Sequence, residues 1–329
     1  MWLLYAAAAA FCFGMRAILY QWSSRKPLDR NLMLLGVFLC GTILTLAVNA
    51  FLGQPWTRGA MTGMAMGTFS FVANMAMYRG FAVGKASLVA IITALPPVVV
   101  AAGAYALWHE TLNVWQFGAL CVILLGIIVI RYSNDLKLSN LKGAQWAVLA
   151  MLGFAANDLS SKQSQLWSAE VLPTLTTMFA TGSLLFFAVW FKTSVREKPR
   201  AADLDSPEAT ASVARSAGST ASAAAETKAA AETKVPAETK ADPGRPPRWP
   251  AWRTLLWGMT VGLTNASGMM LILPAFKLGA AGLVSAVIAT NVLLILLFTR
   301  LFLKERFTRP QLLGIGVTIA GVLLLRLME

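Results

Sequence analysis

Charge is what this sequence has least of. Only 13% of its 329 residues are charged, one is a histidine and three are cysteines, while 57% are hydrophobic and the mean hydropathy is +0.62. A soluble domain of ordinary composition is excluded. Cys12, Cys40 and Cys121 fall inside apolar runs without metal-ligand spacing, so they read as small core residues and no metal site or cofactor is expected. No Walker motif or other phosphate loop is present, which speaks against ATP hydrolysis by this chain. Met1, Trp2, Leu3 and Leu4 open the first apolar run with no basic region before it, so that run reads as a span and not as a cleaved signal.

Apolar runs fall near residues 2–20, 32–52, 59–78, 86–107, 114–130, 143–161, 171–191, 253–275, 281–303 and 310–327. A hydrocarbon core about 30 Å thick takes roughly 20 helical residues per crossing, and these runs match it. Their Leu, Ala, Val, Gly and Met content suits packed helices, where barrel strands would alternate polar and apolar residues. The expected fold is an all-α polytopic membrane protein of ten transmembrane helices.

The little charge there is lies unevenly. Of 43 charged residues 17 stand between Thr193 and Pro250, nine basic against eight acidic. There the tetrad Ala-Glu-Thr-Lys recurs at 225–228, 231–234 and 237–240, a composition that cannot build a core. Residues 193–250 are therefore expected to form a disordered loop between the seventh and eighth helices, acting as a tether, with a docking site for a partner as the less favoured alternative. The net charge of +13 comes from the ends of apolar runs, a pattern that orients helices and does not make a nucleic-acid face. Alternate connections carry 19 basic residues on one side, including Arg25, Lys26, Arg30, Arg79 and Arg131, against Arg58, Lys162, Lys277 and Arg326 on the other. The positive-inside rule then puts the long loop in the cytoplasm and both termini outside, in a plasma membrane of bacterial inner-membrane type.

One ungapped offset of 195 superposes residues 63–131 on 258–326 with 15 of 69 pairs identical, among them Gly63 with Gly258, Gly67 with Gly262, Gly84 with Gly279, Glu110 with Glu305 and Gly126 with Gly321. A weaker offset of 141 sets Tyr5 against Trp146 and Arg16 against Asn157. Five spans per copy is an odd number, so the second copy enters the membrane from the opposite side. Two inverted five-helix repeats, residues 1–131 and then 132–192 with 253–327, are expected to enclose a site reached alternately from either face.

Gly84-Lys85-Ala86-Ser87-Leu88-Val89 through Pro96-Pro97, then His109-Glu110-Thr111-Leu112, Gln116 and Gly126, resembles the EamA repeat of the drug/metabolite transporter superfamily. The run from Gly279 to Asn291, with Lys304-Glu305-Arg306-Phe307, Gln311 and Gly321, resembles the second copy. The resemblance implies a secondary transporter, typically an exporter of amino acids or other small metabolites, with its cavity lined largely by spans one, three, four, six, eight and nine. This chain departs from the pattern where the fourth-helix proline, Pro96 in the first copy, is Asn291 in the second, and in its long insert. Most relatives it resembles keep their termini in the cytoplasm, whereas the charge count here puts them outside.

An ionisable side chain at mid-bilayer costs roughly 2.5 to 3.5 kcal/mol on insertion scales, so the few present are examined first. Arg16 either binds a carboxylate or phosphate bidentately or snorkels to the headgroups. Asn157 takes the place of Arg16 in the second copy. Asp158 binds an ammonium group, carries a proton, or is neutralised by Lys162 one turn on, the last being the favoured reading. Asn74 and Tyr78 continue a polar stripe from Ser70, and Thr264, Asn265 and Ser267 answer it from the eighth span, either as cavity lining or as interhelical hydrogen bonds. Pro96, Pro97 and Asn291 mark irregular backbone. The candidate substrate-binding residues are thus Arg16, Asn74, Tyr78, Asn157, Asp158, Asn265 and Asn291. No catalytic residue is assigned, and His109 is a turn residue. Trp2, Tyr5, Phe13, Phe71 and Trp146 either line the cavity or mark the membrane interface. Gly59, Gly63 and Gly67 read as a packing ridge, and Glu110 and Glu305 as carboxylates near helix N-termini. Expected partners are a small-molecule substrate and the lipid bilayer, with no nucleic acid, in a monomer or homodimer. The alternatives are an intramembrane enzyme on lipid-linked substrates, which would be expected to cluster His, Asp or Glu near an interface, and a non-transporting scaffold.

Overall fold

The computed structural model describes residues 1–24, 26–84, 86–131, 143–204, 249–302 and 308–327, and among them there is no strand. The helices are α1 (Trp2–Ser24), α2 (Arg30–Leu52), α3 (Thr62–Val83), α4 (Ala86–Ile92), α5 (Pro96–Trp108), α6 (Val114–Arg131), α7 (Ala144–Leu166), α8 (Val171–Leu204), α9 (Ala251–Leu278), α10 (Ala281–Ala289), α11 (Asn291–Phe302) and α12 (Arg309–Leu327). Among the described residues eight segments are long and apolar enough to cross a membrane, with α4–α5 and α10–α11 each supplying one broken segment. The helices α3 and α7 are as long but carry more polar residues, and they pack face to face.

Local chemistry sets the ends. Asp29 caps α2 by accepting from the Asn31 and Leu32 amides, and Gly53, at φ 65°, closes it with its N–H on the Asn49 carbonyl. Proline ends α4: Pro96 starts α5 at a position that needs no amide, and Thr93 donates both its N–H and its Oγ1 to the Val89 carbonyl just before the break. The equivalent break before α11 has no proline. There Thr290 Oγ1 donates to the Val287 carbonyl at 2.6 Å. The helix α8 runs to Leu204, so the expected loop beginning at 193 is corrected there: Ala, Glu, Lys and Arg around 196–202 are good helix formers and carry the helix on, although Pro199 among them opposes it. The Ala-Glu-Thr-Lys tetrads and Glu305 lie outside the described residues.

The interior is mainly apolar, but so is the outer surface, and a set of polar side chains lies inside. Phe51, Leu184 and Phe302 stand on the surface, while Asn157, Ser161, Ser164, Thr176 and Asn265 are buried, as an apolar solvent requires. Glycines set the interhelix distances. On α9, a Cβ on Gly258 would lie 2.2 Å from the Met33 carbonyl oxygen, and one on Gly262 2.7 Å from Val37 and Cys40. On α3, one on Gly63 would lie 2.2 Å from the Thr174 carbonyl oxygen, and one on Gly67 2.4 Å from that of Met178. Between α2 and α8 the contact is mutual, with Gly41 under the Phe179 ring and Gly182 under the Phe38 ring. Between α6 and α12, Gly126 meets Thr318, Gly321 meets Ile123 and Gly314 meets Ile130. One index rises as the other falls, so these two helices run antiparallel.

Candidate functional site

A chain buried in lipid has few reasons to keep a guanidinium, and the position of Arg16 shows what holds it. Gly268 lacks a Cβ, which lets the Phe13 ring sit against α9, and Gly14 brings α1 within 3.3 Å of the Asn291 carbonyl, measured from where its Cβ would be. Those two close approaches carry Arg16 inward. Its Nη1 donates to Asn265 Oδ1 at 2.5 Å, and its guanidinium lies 4.7 Å from the Phe13 ring centroid and 5.8 Å from that of Tyr20. Asn265 is buried at the middle of α9. The Arg16 side chain is directed between α1 and α9, toward Asn265. Arg16 Nε is buried without a hydrogen-bond partner, a donor left open for an acceptor.

Tyr20 joins this group to a cavity of about 260 Å³ lined by Tyr20, Ser23, Arg30, Met33, Met77 and Tyr78 among others. Arg30 stands 5.8 Å from the Tyr78 ring centroid. Arg16, Asn265, Asn291 and Tyr78 thus gather where α1, α3, α9 and the break before α11 approach. Tyr20 and Arg30 were missed in the sequence, where Arg30 counted only as loop charge. The spacing of Phe13, Arg16 and Tyr20, one turn apart on one face, was the available signal.

The other candidates lie apart. Asn74 Nδ2 donates to the Ser70 carbonyl of its own helix at 2.7 Å. Asn157 is buried on α7 with Oδ1 unpartnered. With Gly153 on Ala73 and Gly80 on Trp146, the α3–α7 register brings Asn157 level with Ser70. Asp158 accepts from Ser285 Oγ at 2.7 Å. The expected Asp158–Lys162 pair is corrected: Lys162 Nζ lies 3.3 Å from Glu110 Oε2 and donates to the Gly279 carbonyl at 2.8 Å. Glu110 Oε1 in turn accepts from the Ala281 amide at 2.6 Å, capping α10. Of the aromatics, Phe13 lies under Arg16, Trp2 packs on Gly279, Phe71 on Phe186 and Trp146 under Arg79. Tyr5 is partly exposed.

A larger cavity of about 490 Å³ lies between α5 and α6, lined mainly by apolar groups such as Val98, Leu112, Phe117 and Leu124, with Tyr105, Glu110 and Thr111 at its edge. Among the described residues no group of His, Cys, Asp or Glu could hold a metal.

Residues 1–132 and 238–327 match the EamA-like transporter family. The chain belongs to that family. It is accordingly an integral membrane protein and a transporter of the drug/metabolite superfamily. No curated protein matches it. A solved crystal structure, described only as that of a protein, superposes with a TM-score of 0.67 over 100% of this chain and 99% of the other at 12% identity, a likeness of fold alone.

Proposed function

We propose that this EamA-like chain is a secondary transporter that exports a small organic anion or zwitterion by alternating access between two inverted five-helix units. The observation that carries the reading is the reciprocity of the glycine contacts. Adding 141 to Met33, Val37 and Cys40 gives Thr174, Met178 and Thr181, and subtracting 195 from Gly258 and Gly262 gives Gly63 and Gly67, so each contact of α2 with α9 has its counterpart between α8 and α3. Phe38 on Gly182 corresponds to Phe179 on Gly41, Trp2 on Gly279 to Gly143 on Gly84, and Thr318 on Gly126 to Ile123 on Gly321. A pseudo-twofold relating antiparallel helices accounts for every one of these pairs. It favours ten crossings, with α3 and α7 as the two polar ones that face the seam, and repeats of 1–131 and 132–192 with 253–327.

The same symmetry supplies two faces. At the face holding the 53–61 connection, Glu110, Lys162, Gly279 and Ala281 tie the first unit to the second, which is how a closed gate looks. The cavity under Tyr20 and Tyr78 lies toward the opposite, more basic face. By the positive-inside rule that face is cytoplasmic, so the arrangement corresponds to a carrier ready to load from inside. Arg16, with an open donor beside Asn265 and two aromatic rings, is the group that would take the carboxylate of the cargo.

The test is reconstitution of the full chain in proteoliposomes with counterflow of radiolabelled L-phenylalanine, L-glutamate and benzoate. Movement of at least one, lost in Arg16→Ala and partly kept in Arg16→Lys, is expected. No counterflow of any organic anion or zwitterion from a wider panel would overturn the reading.

A further inference from the structure

Asp158 is left without a task by the Arg16 site. It is partly buried between α7 and α10, and its hydrogen-bond donor on α10 is the neutral hydroxyl of Ser285. No basic group of the described residues forms an ion pair with it: Lys162, one turn on, is held by Glu110 and the Gly279 carbonyl. The ionisable groups on the elements packed against α7 are engaged elsewhere or point outward. On α3, Tyr78 lies under Arg30 and Arg79 over the Trp146 ring. On α5, Tyr105 stands edge-on to His109. On α9, Arg253 lies over Trp249 and Lys277 is exposed, and Arg58 is exposed beside α3. Neither α4 nor α10 carries an ionisable residue.

Depth separates Asp158 from Arg16. Trp2 packs on Gly279, which marks one level at the end of the bundle. At 1.5 Å per residue, Arg16 lies about 21 Å from that level along α1 and Ser285 about 9 Å along α10, so the two groups stand about 12 Å apart along the bundle. The ammonium and carboxylate of one α-amino acid cannot span that distance. Asp158 therefore does not complete the Arg16 site, and its partner is a different species. An unpaired carboxylate in a membrane protein is expensive as an anion and much less so once it has taken a proton. The pair is also single: the residue equivalent to Ser285 in the first copy is Ala90.

Resting on the transporter reading, we infer that Asp158, with Ser285, is the proton site that couples transport to a proton gradient. In each cycle one proton adds to the carboxylate from one face and leaves the resulting acid to the other, with nothing oxidised or reduced. While Asp158 is an anion, Ser285 ties α10 to α7. When Asp158 is protonated that tie loses its charged acceptor and the broken span moves more freely, so proton occupancy biases the gate.

Two measurements on the full chain in liposomes test this. The first is the infrared difference spectrum between acidic and neutral pH, which reads the C=O stretch of protonated carboxyls without any cargo. A band present in the parent, absent in Asp158→Asn and shifted in Ser285→Ala is expected, and identical spectra for parent and Asp158→Asn would overturn the proposal. The second uses whichever of radiolabelled L-phenylalanine, L-glutamate and benzoate the parent exchanges. The ratio of uptake driven by a pH gradient to counterflow is expected to fall about tenfold or more in Asp158→Asn, as typical coupling energies imply, and to return in Asp158→Glu. An unchanged ratio in Asp158→Asn overturns the coupling role while leaving the transporter reading intact. Absence of counterflow in the parent across the wider panel defeats the organic-anion reading instead, and the infrared titration alone then decides whether Asp158 takes the proton.

Discussion

The first and second copies of the repeat share the glycines at their close helix contacts, and the Glu110–Glu305 and Arg131–Arg326 positions, but not the charge of Arg16. Gly63, Gly67, Gly84 and Gly126 return as Gly258, Gly262, Gly279 and Gly321, each against an equivalent surface. Arg16, however, faces Asn265, while the corresponding pair in the other copy is Asn157 and Ser70. Packing is duplicated and recognition is not. A carrier with two faces needs an interface that fits equally well when either side is shut, and duplicated small residues supply it. The Arg16–Asn265 pair, by contrast, occurs once.

The largest effect is expected from breaking what is shared. Gly258→Leu drives a side chain into the Met33 carbonyl and should cost about 3 kcal/mol or more. Thermal unfolding in detergent measures it, and Gly63→Leu should match it within about 1 kcal/mol if the two interfaces are equivalent. Next comes what is not shared: Arg16→Ala should lower transport efficiency by about a hundredfold, equal to about 2.7 kcal/mol of lost stabilisation, while Asn157→Ala costs much less, both read from initial rates of counterflow. Asn265→Ala should cost about tenfold and add little to Arg16→Ala, since removing either partner breaks the same pair, which a double-mutant cycle reports. The smallest shift is at the gate. Glu110→Gln removes one ion pair and weakens a cap, worth about 1 kcal/mol, and should raise the labelling of a cysteine introduced at Ser164 by several-fold from the 53–61 face. Labelling that stays level in Glu110→Gln would mean the tie does not hold that face shut.

Much of the helical plan was legible because lipid imposes it: the apolar runs at 2–20, 32–52 and 171–191 became α1, α2 and the start of α8. The offset of 195 was visible because glycine at a close approach has no substitute, and that constraint leaves identical residues in both copies. What stayed hidden was pairing across helices distant in the chain. Lys162 stands one turn from Asp158 in sequence, yet Glu110 from one distant turn and the Gly279 carbonyl from another come nearer in space. Tyr20 and Arg30 escaped notice for the same reason, since each is unremarkable alone and gains meaning only from the cavity they share with Tyr78. The end of α8 was misread because composition separates a core from a non-core segment, whereas helix propagation depends on the turn before.

That extended helix has a practical consequence. Its 34 residues reach about 51 Å, against a hydrocarbon slab about 30 Å thick. The excess amounts to some four turns beyond the oily layer, with Pro199 among them, so a small folded protein spliced in just after Leu204 would be carried away from the detergent belt. Antibody fragments or a fiducial for particle alignment could be mounted there without touching the gates.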